Sequence, residues 1–267
     1  ETIRKDLRRR PEAVPPRLYG GTERVVAHLS DALVELGHEV TLFASADART
    51  RAKLAPVRDQ AIRLDPAPLK SDLAAHLSQL AEVRRRADEF DVIHFHTDMI
   101  HFPFFEPIAE RTITTLHGRL DLKDLPEVYR RWTQFPLISI STDQRRPIPD
   151  ANWMGTVHHG VPAELYRHSP TSRGYLAFLG RIPPEKRPDR AIQIAKRPGR
   201  RLRIAAKVDR VDQTYFEEKI EPLLHHPLIE FVGEIGDDRK SEFLGGADAL
   251  LFPIDWPEPF GLVMIEA

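Results

Sequence analysis

The chain has 267 residues, 41% hydrophobic and 30% charged, with a formal net charge of -1 at pH 7. This is the makeup of a folded globular protein, long enough for two modest domains or one large one, with no bulk charge to attract nucleic acid or an anionic membrane. Cysteine is absent, which excludes disulfides, thiol nucleophiles and thiolate-held zinc or iron–sulfur sites.

No apolar run approaches the ~20 residues of a membrane span. The expectation is a cytoplasmic protein with no integral membrane span and no nucleic-acid partner. The basic clusters Arg4-Lys5…Arg8-Arg9-Arg10 and Arg84-Arg85-Arg86 are interrupted or flanked by Asp and Glu and read as solvated faces.

In chain order, short apolar runs alternate with longer amphipathic stretches, the pattern of βα units around a parallel sheet. Strands are predicted at 40–44, 61–64, 92–95, 112–116, 137–140 and 155–159, and again at 175–180, 202–206, 229–233 and 249–253. The clearest helical segments are 21–36, 70–88, 186–197, 212–224 and 237–246, and 162–174 reads as a connection between two halves. The fold class expected is α/β, with two Rossmann-like domains facing each other across a cleft. The N-terminal domain would span 1–162 and the C-terminal domain 163–267. Both ends read as incomplete, since no apolar strand precedes Pro15 and the helix opened by "EPFGLVMIEA" stops within two turns.

Open α/β sheets bind ligands beyond the carboxyl ends of their strands, so residues just after each strand carry the most information. Three segments stand out. In "RLYGGTERVV", Gly20 and Gly21 precede a helix, where a backbone can approach a phosphate beside unpaired N–H groups; taken alone, the segment reads first as a plain turn and helix start. In "FLGRIPPEKRPDRAI", a strand ends in Gly180-Arg181 and Lys186 follows five residues later, two cations suited to a diphosphate or to an ordinary charged loop. In "DWPEPFGLVMIEA", Glu258 and Glu266 lie eight residues apart around a helix start, with Phe260, Gly261 and Leu262 offering unpaired N–H groups. Two carboxylates so spaced cannot easily share one metal; they can each grip a different polyol, or be a pair of solvated glutamates.

Together these segments resemble the retaining glycosyltransferases of family four, which have the GT-B fold. Glu258 to Glu266 matches that family's E-x7-E motif, Gly180-Arg181…Lys186 its G-R-x4-K element, and Tyr19-Gly20-Gly21 its N-terminal glycine loop. The resemblance implies sugar transfer from a nucleotide-diphospho-sugar, with retention and without a metal or other cofactor. Arg181 and Lys186 would neutralise the donor diphosphate, which is also the leaving group, and Gly20 and Gly21 would approach it from the other domain. Glu266 would hold the ribose, and Glu258 the transferred sugar, assisted by backbone N–H groups of Phe260 to Val263. His117, in "TTLHG", would be the active-site histidine near that sugar; on its residues alone it reads as a strand-end histidine bonded to backbone. The N-terminal domain would take the acceptor, whether sugar, lipid-linked or small molecule, and the C-terminal domain the donor. One departure is visible: where the family often has Lys-Gly, this chain has Lys186-Arg187-Pro188.

Two other readings compete. His94-x-His96-x-Asp98 opens the signature of dinuclear metallohydrolases, but Met99 stands where a histidine should follow. The other is a non-catalytic, truncated nucleotide-binding paralogue.

Overall fold

The computed structural model describes residues 14–16, 20–64 and 72–267. These fall into two compact units, one ending at His159 and the other running from Gly160 to Ala267.

The first unit carries strands β1 (Thr41–Ser45), β2 (Lys53–Arg58), β3 (Ile93–Phe95), β4 (Thr112–Thr115), β5 (Leu137–Ser139) and β6 (Trp153–Thr156). Its described helices are α1 (Gly21–Glu35), α2 (Asp72–Arg85), α3 (Phe102–Phe105) and α4 (Leu125–Arg131). Among the described residues β1 and β2 pair in parallel, and a second parallel sheet has the order β3-β4-β5-β6. Its core is aromatic. Phe102, Phe105 and Phe135 are fully buried, and Phe102 stacks on Phe135 with ring centroids 4.3 Å apart. Each such side chain contributes about 2–3 kcal/mol by leaving water.

The second unit has strands β7 (Tyr175–Arg181), β8 (Arg201–Lys207), β9 (Ile229–Gly233) and β10 (Ala247–Leu250), in the parallel order β10-β7-β8-β9. Its helices are α5 (Pro188–Lys196), α6 (Gln213–Tyr215), α7 (Glu221–Leu224), α8 (Asp237–Gly245) and α9 (Val263–Glu266). Strand β7 is buried almost throughout, as a central parallel strand covered on both faces must be, and therefore reads as one unbroken apolar run. Leu202, Ile204, Ile192 and Ala195 pack α5 onto β8 with essentially no exposure.

Three local expectations need correction. The strand predicted at 61–64 is a short 3-10 turn, Ile62–Leu64, where the Ala61 N–H donates to Asp47 Oδ1 at 3.2 Å instead of entering a ladder. Strand β2 escaped prediction because Pro56 and its charged neighbours break the apolar pattern; it pairs with β1, Pro56 lying opposite Ala44. The helix expected over 212–224 is divided by a π-helical turn at Phe216–Ile220. Pro222, without an N–H, cannot bond to the carbonyl four residues back, and the wider turn accommodates it.

Candidate active site

The second unit gathers charge at the carboxyl ends of β7 and β8. Arg181 and Lys207 are register partners, the last residues of adjacent parallel strands. Asp209, two residues beyond Lys207, holds both: its Oδ2 accepts from Arg181 Nη1 at 3.1 Å and its Oδ1 lies 2.9 Å from Lys207 Nζ. Burial alone would raise the Asp209 pKa, yet the hydrogen bonds and charges of Lys207 and Arg181 hold it below the usual carboxylate range. Lys207 and Asp209 had not been singled out in the sequence, although the strand-end rule applied to "LRIAAKVD" points to them.

Lys186 closes a 3-10 turn, Pro184–Lys186, just before α5. Its ammonium pairs with the Glu258 carboxylate and lies 5.1 Å from the Trp256 ring centroid and 5.5 Å from that of Phe252. Backbone ties the two segments together, Asp255 N donating to Glu185 O at 2.8 Å. The cation expected at a diphosphate and the carboxylate expected at a sugar are thus partners of each other. Arg187 adopts a left-handed conformation, φ 53 and ψ 50, which glycine would take without strain. Its guanidinium is held by Asp189 and Asp255, both at 2.8 Å, and those hydrogen bonds raise its pKa further. The departure from Lys-Gly therefore keeps a glycine-like backbone and adds an ionic clamp.

Gly261 lies at φ +78, and an added Cβ would meet Met264 Cε at 2.9 Å and the Phe252 ring at 3.1 Å. Phe260, Gly261 and Leu262 lead into α9. Glu266 is buried near the end of α9, its Oε1 3.6 Å from the Nζ of Lys240, which is itself 2% exposed and 2.8 Å from Asp237 Oδ1. Lys240 is a third residue that sequence reasoning missed, since its helical periodicity looks like a solvated face.

In the first unit, Gly20 caps α1 with an extended backbone and Gly21 begins the helix. Close approach explains Gly20, because a Cβ there would lie 2.8 Å from Pro16 Cγ. The same position is 3.0 Å from Glu23 Oε2, so a carboxylate already attends the helix end proposed for phosphate. Tyr19 and the basic cluster at residues 4–10 lie outside the described residues.

The histidines stand at the carboxyl ends of the four-stranded sheet, His94 and His96 with β3, His117 after β4 and His159 after β6. His94 Nε2 meets Thr115 Oγ1 at 2.8 Å. His96 Nδ1 meets His117 Nε2 at 2.8 Å, and His117 Nδ1 meets His159 Nε2 at 3.3 Å. Burial, reinforced by neighbouring imidazoles, pushes His117 down to about 3 and His96 well below its ordinary value; burial pushes His159 down to about 4. All three rings are neutral at pH 7. His117 is thus bonded to side chains rather than to backbone. Among the described residues no three His, Asp or Glu side chains are grouped so that they could hold a metal ion, and no helix is long and apolar enough to cross a membrane.

Comparison with known proteins fits this geometry. The model of Glycosyltransferase Family 4 matches residues 19–211, and that of Glycosyl transferases group 1 matches residues 167–267. A phosphatidyl-myo-inositol mannosyltransferase of Mycolicibacterium smegmatis is 26% identical over 93% of this chain and 70% of its own length. A glycogen synthase of Mycobacterium tuberculosis is 25% identical over 95% of this chain and 73% of its own. The crystal structure of AviGT4, a glycosyltransferase involved in avilamycin A biosynthesis, covers 96% of this chain with a TM-score of 0.67 at 26% identity, the match spanning 70% of AviGT4. The chain belongs to Glycosyltransferase Family 4 and is a glycosyltransferase with the GT-B fold.

Proposed function

We propose that the chain transfers a glycosyl group from a nucleotide-diphospho-sugar to an acceptor hydroxyl, with retention of configuration and without a metal. The observation that carries this reading is the placing of Arg181, Lys207 and Lys186 at and just beyond the carboxyl ends of β7 and β8, each held by a carboxylate. Cations at such a strand end suit the diphosphate of the donor, and stabilising its charge as it leaves would supply much of the rate. Glu258 would exchange Lys186 for hydroxyls of the transferred sugar as the diphosphate takes over the lysine. Glu266, fixed by Lys240, would meet the ribose. The second unit is then the donor side and the first the acceptor side. Its His117 would lie near the transferred sugar, with Gly20 and Gly21 toward the phosphates.

The test is thermal unfolding of the purified chain with UDP, GDP or ADP, each with and without EDTA. A nucleotide at 100-fold over its Kd adds about 2.7 kcal/mol of stability. The reading expects a shift with one nucleotide, unchanged by EDTA and lost in Arg181→Ala, and then turnover of the matching sugar nucleotide with the anomer retained. A cooperatively unfolding chain that responds to none of the three would overturn it.

A further inference from the structure

His117 has no free ring nitrogen: Nε2 faces His96 Nδ1 at 2.8 Å and Nδ1 faces His159 Nε2 at 3.3 Å. The ring planes lie within 32° and 17° of each other at these contacts, and both centroid separations are 5.1 Å. A neutral imidazole has one donor and one acceptor, so each contact works only when one ring gives an N–H and the next offers a lone pair. That constraint leaves two arrangements. If His117 donates from Nε2, His96 must be bare at Nδ1 and His159 must donate from Nε2, which makes all three Nε2–H tautomers. If His96 donates from Nδ1, His117 must donate onward from Nδ1 and His159 must be bare at Nε2, which makes all three Nδ1–H tautomers.

We propose that His96, His117 and His159 act as a single imidazole chain whose rings share one tautomer, His96 and His159 being positioning residues for His117. The inference rests, for its bearing on catalysis, on reading His117 as the histidine near the transferred sugar. Passing from the first arrangement to the second takes up a proton at His159 Nδ1, shifts one proton across each of the two contacts and releases one from His96 Nε2. Charge is unchanged, and no ring stays an imidazolium. The chain therefore offers a route for one proton past His117 within a set of rings held neutral. A hydroxyl that binds His117 in the ring plane must displace His96 or His159, so these two also set how the ring can be approached.

The experiment is a two-bond 1H–15N correlation spectrum of the full chain labelled at histidine, at pH 7.5, with the rings assigned by through-bond correlation to the backbone. The expected result is three neutral rings in the same tautomer; a charged ring, or one tautomer differing from the other two, overturns the proposal without any variant being made. A His159→Leu chain, with His159→Gln as the milder substitution should leucine prevent folding, is expected to change the tautomer balance of His117 and also of His96. A His96 pattern left untouched while His117 changes would show local packing only and would overturn the coupling. The nucleotide-dependent unfolding above is scored separately, so mismatched tautomers beside a nucleotide response sink the chain and spare the transferase reading, and the converse pair does the opposite.

Discussion

Lys186 and Glu258, 72 positions apart, form an ion pair whose side chains are 13% and 15% exposed. Each neutralises the other, and the lysine also rests against Trp256 and Phe252. Removing one member of a well-buried pair costs 3–5 kcal/mol, and partial exposure brings this to roughly 1–2 kcal/mol here. Both Lys186→Ala and Glu258→Gln should therefore lower stability in urea by that amount. Their effects on a nucleoside diphosphate should part. Lys186→Ala loses a charge-assisted contact, about 1.5–3 kcal/mol or roughly 10- to 150-fold in Kd, whereas Glu258→Gln, which frees the lysine, should bind the nucleotide at least as tightly while failing in sugar transfer. Calorimetric titration reads the difference, and equal losses in both variants would make the pair purely structural.

A second prediction concerns acid. His117 and His159 carry pKa values pushed down to about 3 and about 4, against about 6.5 in an unfolded chain. On acidification the unfolded state takes up protons first, so the stability these rings confer is complete above about pH 6.5 and is lost as pH falls toward their folded values. Each ring should cost about 1.5 kcal/mol between pH 6.5 and 5. Asp209, held low by its cations, is lost only at more acid pH, whereas His94, His96 and His101, also held down by burial, add to the decline in this same window. Urea unfolding at half-unit steps should show the decline, and His117→Asn should make it shallower by one ring's share. A His117→Asn profile as steep as that of the parent chain would refute the assignment.

What the sequence disclosed and what it hid divide along physical lines. Strands β7 and β8 are legible because they are largely buried and their apolar residues run together, and the edge strand β9 is legible by its short apolar run alone. Arg181, Lys186, Glu258 and Glu266 were legible as spaced charges beside glycine and proline. Their partners were not. Asp209 on Arg181, Lys240 beside Glu266 and His159 on His117 are separated from them by 26 to 42 positions, and nothing in local pattern announces those pairings. Strand β2 stayed hidden because Pro56 contradicts the propensity that its pairing with β1 overrides.

Gly261 supplies a third prediction. Its φ of +78 disfavours any side chain, and a methyl group there would press on the ring of Phe252, against which Lys186 rests. Gly261→Ala should cost about 1–3 kcal/mol from strain and overpacking together. It should also weaken nucleotide binding, because the displaced ring alters the seat of Lys186. A variant of unchanged stability and affinity would show that the loop yields freely.

The last prediction rests on Lys240. Its ammonium, 2% exposed, lies 2.8 Å from Asp237 and 3.6 Å from Glu266, whose side chain is 3% exposed. Such an arrangement is costly to break from one side, since the remaining carboxylates stay out of water with their charge uncompensated. Lys240→Met should destabilise the chain by about 3 kcal/mol. Lys240→Met combined with Glu266→Gln should recover part of that loss, because the neutral amide carries no stranded charge into the same space. The double-mutant cycle also separates structure from ligand recognition. If Glu266 serves the ribose, the recovered double variant stays weak toward a nucleoside diphosphate although its fold is restored. If it binds as the parent chain does, Glu266 belongs to the packing of α9 against α8 and not to the donor site.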